Sequence, residues 1–213
     1  MDHLTQLSDI RREYGALCLN EENVLDCPVQ QFELWFSEEL SQKKDDPNAM
    51  VLSTVDNQGH PDSRVVLLKA IDEGTFVFYT NYQSTKSIHI GNNPFVALNF
   101  YWPTLARQVR IRGRAARISE AQSDAYFLSR PKLSQVSAIV SPQSRVLGSR
   151  ADLETHLSEF IADAKQFVRP AYWGGYAVMP TEFEFWQGRD NRMHDRIRYY
   201  RHEEHWLHQR LAP

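Results

Sequence analysis

At 213 residues, 42% hydrophobic and 24% charged, the chain is long enough to bury a sizeable core and has an ordinary globular composition. A formal net charge of -3 lacks the broad positive excess expected of a nucleic-acid backbone binder, so no nucleic acid is expected as a partner. Only Cys18 and Cys27 are present, with no CxxC and no Cys/His ligand spacing, which argues against a disulfide framework and predicts no metal site.

The first segment, Leu4 to Tyr14, reads as a short helix or an arm. Phe32, Trp35, Phe36 and Leu40 then recur at helical spacing, with Pro28 at the helix start. After "KKDDPN" the texture changes: "AMVLSTVD", "DSRVVLLKAID" and "TFVFYTN" are rich in β-branched and aromatic residues and are separated by turn signals. Links this short make neighbouring strands antiparallel. A helix follows at "STKSIHIGNNP", capped by Ser84, and then two strands, "FVALNFYW" and "RQVRIRGRAARI". Ser119 and Gln122 fit a capping box for a helix that Pro131 ends. A second helix carries Leu153, Leu157, Phe160, Ile161, Ala164 and Val168 on one stripe. "WGGYAVMP", "EFEFWQG" and the hairpin "RIRYYRHEEHWLHQRL" close the chain.

Seven or so antiparallel strands with marginal helices predict an α+β fold built on a small β-barrel. Residues 1–213 read as one domain: arm and helix over 1–48, main barrel strands over 49–118, a helical segment over 119–170 and C-terminal strands over 171–213. No basic-then-apolar leader and no run of 18 apolar residues appears, so the expectation is a cytoplasmic protein with no membrane partner.

Several motifs carry charge and hydroxyls suited to an anion. In "RVVLLK" a regular strand places Arg64 and Lys69 on opposite faces, so one ligand touching both needs a bulge, a strand end or a contribution from backbone atoms. Ser84, Thr85 and Lys86 open a helix, where free N–H groups favour anions. Gln108 shares a strand face with Arg110, Arg112 and Arg114, and its amide suits the edge of a heteroaromatic ring. Tyr126 and Arg130 lie four apart on one helix face, with Ser134 just beyond, a set able to hold a phosphate. Arg192, His194 and Arg196 alternate onto one face if their segment is extended. No HExxH and no GxSxG supports a hydrolytic site. The residues alone therefore read as an anion-binding β-barrel.

In chain order, "RREY" at Arg11 to Tyr14, "RVVLLK", "FYTN", "NNP", "RQV", "YFLSRP", Gln143-Ser144, "WGG" at Trp173, "EFWQG", "RMHDR" and the terminal "RLAP" resemble the pyridoxamine 5′-phosphate oxidase family. The resemblance spans nearly the whole chain. It implies a split β-barrel that forms a homodimer with FMN at the subunit interface. It further implies FMN-dependent oxidation of pyridoxamine 5′-phosphate and pyridoxine 5′-phosphate to pyridoxal 5′-phosphate, with dioxygen as acceptor and hydrogen peroxide as co-product. FMN contacts carry over to Arg64, Val65, Val66, Leu67, Leu68, Lys69, Tyr79, Thr80, Lys86, Gln108, Gln143, Ser144, Trp186 and Arg196. Substrate contacts carry over to Arg11, Arg12, Glu13, Tyr14, Lys69, Tyr126, Arg130 and Ser134, and to Arg192 and His194 as the catalytic pair. By the same resemblance Arg189, Arg198 and Arg201 are left to solvent. The chain departs from the family at Thr85, where an arginine is usual. Two rivals stand beside this reading: a related flavin oxidase of another aromatic substrate, and a non-catalytic flavin or pyridoxal phosphate carrier.

Overall fold

Alternating polar and apolar runs joined by tight turns dictate antiparallel pairing, and a computed structural model of the chain, describing residues 13–15, 17–163 and 167–213, bears this out. Among these residues five α-helices and nine strands form: α1 (Pro28–Ser41), β1 (Ala49–Val55), β2 (Pro61–Leu67), β3 (Ala70–Asp72), β4 (Thr75–Asn81), α2 (Thr85–Asn92), β5 (Phe95–Trp102), β6 (Arg107–Arg117), α3 (Glu120–Ser129), α4 (Lys132–Val140), α5 (Arg150–Asp163), β7 (Trp173–Gln187), β8 (Asp195–His202) and β9 (His205–Arg210). Strands pair in the order β2-β1-β5-β6-β7-β4-β3, with β8 joined to β7 and β9 to β8.

The chain groups into two compact units. One comprises residues 48–98 and 112–180, the other 1–47, 99–111 and 181–213. In the first, Met50 and Leu52 of β1, Phe76 and Phe78 of β4, Leu98 of β5 and Val178 of β7 are all buried. In the second, Phe32 and Trp35 of α1 pack with Phe100, Trp102 and Phe185, with Phe32 and Phe100 edge to face at 4.9 Å.

The differences from the sequence reading have local causes. Leu40 is exposed and Glu39 is buried in its place, because Phe32, Trp35, Phe36 and Glu39 are the i, i+3, i+4, i+7 set of α1. "DSRVVLLKAID" is broken after Leu67: the Leu68 N–H donates to the Asn48 carbonyl and the Lys69 N–H to that of Val77, so the chain changes partner there. Conversely, "WGGYAVMP" and "EFEFWQG" are one strand, β7. Pro180 falls where the partner changes from β4, paired up to Val178, to β8, paired from Glu182, so its missing N–H removes no rung with either. Pro131 ends α3 but also opens α4, which the sequence reading leaves out; Leu133, Val136 and Val140 at helical spacing were its signal. Helix α5 is described over Arg150–Asp163, Ala164 is outside the described residues, and Val168 is exposed.

Candidate active site

The break after Leu67 is what builds the site. Ending β2 there removes the opposite-face constraint, and Arg64 and Lys69 both line one cleft of about 730 Å³ in the first unit. Its other walls are Tyr79, Thr80 and Asn81 at the end of β4, Lys86 of α2, Tyr126 and Arg130 at the end of α3, Ser134, Ser137 and Ala138 of α4, Gln143, and Trp173 at the start of β7. Four cations face this cleft, and no carboxylate is among the described residues that line it.

Lys86 is the least ordinary of the four. Its side chain is buried, and its Nζ meets only neutral oxygens: Thr80 Oγ1 at 3.3 Å, Ser84 Oγ at 3.2 Å and Gln143 Oε1 at 3.3 Å. Burial, and then the charge of Arg64, lower its pKa to about 8. Ser84 occupies the cap position of α2, yet its hydroxyl donates to the Asn81 carbonyl at 2.7 Å and caps no helical N–H. Thr85 is exposed and does not line the cleft.

On the α3 wall, the Ser119–Gln122 capping box starts the helix as expected and fixes the phase that brings Tyr126 and Arg130 to the cleft. Tyr126 stacks on Tyr79 at 3.8 Å between centroids, and Arg130 lies over the Trp173 ring at 4.7 Å. Burial raises the pKa of Tyr126, so its hydroxyl is a neutral donor, and Arg130 Nη1 is buried with no hydrogen-bond partner. The glycines of "WGG" make the room: a Cβ on Gly175 would stand 2.9 Å from the Tyr79 ring, and one on Gly174 would meet the Tyr82 hydroxyl at 2.2 Å.

Val65, Val66 and Leu67 line the cleft beside Arg64, and the remaining expected residues lie elsewhere. Leu68 is buried and Ser144, with φ 68°, sits beyond Gln143; neither lines the cleft. Gln108, Trp186, Arg192, His194 and Arg196 belong to the second unit and are absent from the cleft wall. Arg192 closes a 3-10 turn at Asp190–Arg192 with φ 60°, and β8 starts only at Asp195, so the expected alternation of Arg192, His194 and Arg196 along an extended segment does not form. His194 Nδ1 accepts the Arg189 N–H at 3.1 Å, while burial and the Arg192 charge lower its pKa. Its imidazole is thus neutral with the proton on Nε2. Tyr14 lies edge-on to both Trp186 and His194, at 5.7 and 5.5 Å, held by Asp190 Oδ1, which accepts the Tyr14 and Gly15 N–H groups. Glu13 is exposed, and Arg11 and Arg12 lie outside the described residues. Arg196 pairs with Glu184 at 2.9 Å, Arg189 with Asp195 at 3.1 Å and Arg198 with Glu182, so Arg189 and Arg198 are paired in place of free solvation. Sequence reasoning missed Asn81, Pro131, Ser137, Ala138, Ser141 and Trp173 on the wall; Pro131, Ser137, Ala138 and Ser141 belong to α4 or its caps.

Residues 36–162 match the family model for pyridoxamine 5′-phosphate oxidase, and residues 173–213 match that for the pyridoxine 5′-phosphate oxidase C-terminal dimerisation region. A pyridoxine/pyridoxamine 5′-phosphate oxidase of Legionella pneumophila (strain Paris) is 59% identical across 100% of both chains. One of Salinibacter ruber is 47% identical, over 99% of this chain and 100% of its own. Among solved structures, PhzG from Burkholderia lata 383, in complex with tetrahydrophenazine-1-carboxylic acid, matches at TM-score 0.89 and 26% identity, covering 95% of this chain and 100% of its own. A pyridoxamine 5′-phosphate oxidase-related, FMN-binding protein from Nostoc punctiforme PCC 73102 shares the fold at TM-score 0.71 and 16% identity, covering 88% and 98%.

Proposed function

The chain belongs to the pyridoxamine 5′-phosphate oxidase family, and from that premise and the cleft we infer that it is an FMN-dependent enzyme oxidising pyridoxamine 5′-phosphate and pyridoxine 5′-phosphate to pyridoxal 5′-phosphate. The observation that carries this reading is the cleft's charge: Lys86 and Arg130 both line it, Lys86 Nζ meets only neutral oxygens, Arg130 Nη1 is buried with no hydrogen-bond partner, and no counter-ion is among the described residues of the wall. Groups so placed are costly unless an anion meets them. Two such points on different elements, α2 and the end of α3, fit two phosphate esters, one on the flavin and one on the substrate.

In this reading Arg64, Lys86, Thr80 and Gln143 hold FMN, and Tyr126, Arg130, Ser134 and Lys69 hold the substrate phosphate. Bound there, FMN supplies two-electron redox chemistry, with dioxygen as the final acceptor and hydrogen peroxide as co-product; the amine substrate also releases ammonia. The protein's own part is positioning. Neutral His194, its Nδ1 occupied by Arg189, offers Nε2–H as a donor to the substrate, and Arg192 and Tyr14 flank it. Because Gln108, Trp186, Arg192, His194 and Arg196 do not line the cleft, a second copy of the chain supplies them, which the match of residues 173–213 to a dimerisation region supports. Among the described residues no helix is long and apolar enough to cross a membrane, in keeping with the proposed cytoplasmic site of action.

The deciding experiment mixes FMN-loaded protein anaerobically with pyridoxamine 5′-phosphate. The flavin absorption should bleach and return on admitting air, with hydrogen peroxide and ammonia formed. No bleaching with either phosphorylated substrate would leave a carrier; equal bleaching with a non-phosphorylated aromatic would favour the other flavin oxidase. Diluting the protein until dimers separate should release FMN in step, and monomers retaining it undiminished would contradict the shared site.

Lys86 adds a proton-linked prediction. With its pKa near 8 in the free protein, an incoming phosphate should raise it, so FMN binding takes up protons above that pH. Calorimetric titration near pH 8.5 in buffers of differing ionisation enthalpy should register about half a proton or more, and affinity should fall as pH rises further. Proton release at that pH would mean that Lys86 does not meet the phosphate.

A further inference from the structure

The buried face of β1 presents Met50, Leu52 and Thr54, all 1% exposed or less. A hydroxyl on such a face must be paired, and this one meets two partners. Arg64 Nη1 donates to Thr54 Oγ1 at 2.8 Å and also approaches the Leu52 carbonyl at 3.2 Å, while Arg64 Nη2 pairs with Asp62. The register sets this up, because Leu52 lies opposite Arg64 and Thr54 opposite Asp62. On its other side Thr54 Oγ1 lies 3.1 Å from His89 Nδ1 of α2. With Arg64 donating to the oxygen, the hydroxyl proton is free for His89 Nδ1, and that bond keeps a lone pair turned toward the guanidinium.

We propose that Thr54 is a positioning residue: it fixes the Arg64 guanidinium at the cleft wall so that Arg64 and Lys86 together grip one phosphate, on the reading above that of FMN. The need for such a device follows from the charges. Arg64 and Lys86 are like charges lining one cleft, and in the absence of an anion a half-buried arginine would lower their repulsion by swinging toward solvent. Thr54, the Leu52 carbonyl and the more exposed Asp62 carboxylate oppose that movement, so the site is formed before the ligand arrives and less ordering accompanies binding. Thr54 itself, buried behind Arg64, is absent from the cleft wall and acts only through the arginine.

The test is a double-mutant cycle read by titrating FMN into apoprotein, with far-ultraviolet dichroism and melting to verify folding. Thr54→Val keeps shape and removes the bond; it should weaken FMN by about tenfold, whereas Thr54→Ser should stay within about twofold of the parent. In an Arg64→Ala background, Thr54→Val should change FMN affinity by less than about twofold. The proposal is overturned if Thr54→Val binds FMN like the parent, if it costs the same factor without Arg64, or if Thr54→Ser behaves like Thr54→Val. Failure of the parent itself to bind FMN is a separate result, one that removes the flavin reading and this proposal with it.

Discussion

Replacing Lys86 with Met should weaken FMN binding on the order of a hundredfold while making the flavin-free protein more stable. The two effects share one cause. Nζ is buried among Thr80, Ser84 and Gln143 oxygens with no carboxylate partner, and burial leads the fall of its pKa from 10.5 to about 8. Below about pH 8 Lys86 is charged in both folded and unfolded chains, and the full burial penalty, roughly 3 kcal/mol, opposes folding. Between pH 8 and 10.5 the folded chain has lost the proton and the unfolded chain still holds it, so stability rises with pH; above 10.5 the penalty is gone. Methionine removes the penalty but also the Nζ donor to the Thr80 and Ser84 hydroxyls and to Gln143 Oε1, which still accepts from Thr80 Oγ1 and the Asn81 N–H, so the net gain at neutral pH should be about 1–2 kcal/mol, or a few degrees in Tm. Thermal melts of apoprotein across pH 7 to 10 check this: the parent should gain stability over that range and the variant should not. A variant apoprotein less stable than the parent at pH 7 would show that Lys86 is a structural residue first.

Changing Arg130 to Ala should raise KM for pyridoxamine 5′-phosphate by about ten- to a hundredfold, with FMN affinity nearly unchanged. Arg130 stands at the end of α3, its guanidinium over Trp173 and its Nη1 buried without a hydrogen-bond partner. That geometry holds a cation ready for a phosphate and keeps it there by the aromatic contact. An Arg130→Lys variant keeps charge but loses the planar stack, so its KM should fall between the two. Steady-state kinetics beside a flavin titration read both outcomes. If Arg130→Ala instead loses FMN while KM holds, the two phosphate positions are exchanged.

Much of this was legible in the sequence because the signals are short-range. Strand composition, the Ser119–Gln122 capping box, Pro28 and the turn dipeptides act within a few residues, and all appear where local chemistry puts them. The eleven ordered motifs sufficed to identify the family, since their spacing is a joint constraint that chance seldom meets. They also named Arg64, Lys69, Tyr79, Thr80, Lys86, Tyr126, Arg130, Ser134 and Gln143, every one of which lines the cleft. Tertiary structure decided what depends on partners distant in the chain. Whether β2 stops at Leu67 is set by Asn48 and Val77, and that stop alone lets Arg64 and Lys69 share a site. Whether a cation is buried without a counter-ion depends on which oxygens surround Nζ, and three segments supply them. Hydrophobicity pointed to Leu40, since Phe32, Phe36 and Leu40 also follow helical spacing, and only the packing of α1 shows that its buried stripe continues through Glu39. Nor could hydrophobicity show Thr54 as more than a β-branched strand residue. Its role rests on a register that places it beside Arg64 and on a helix that brings His89 to its other side.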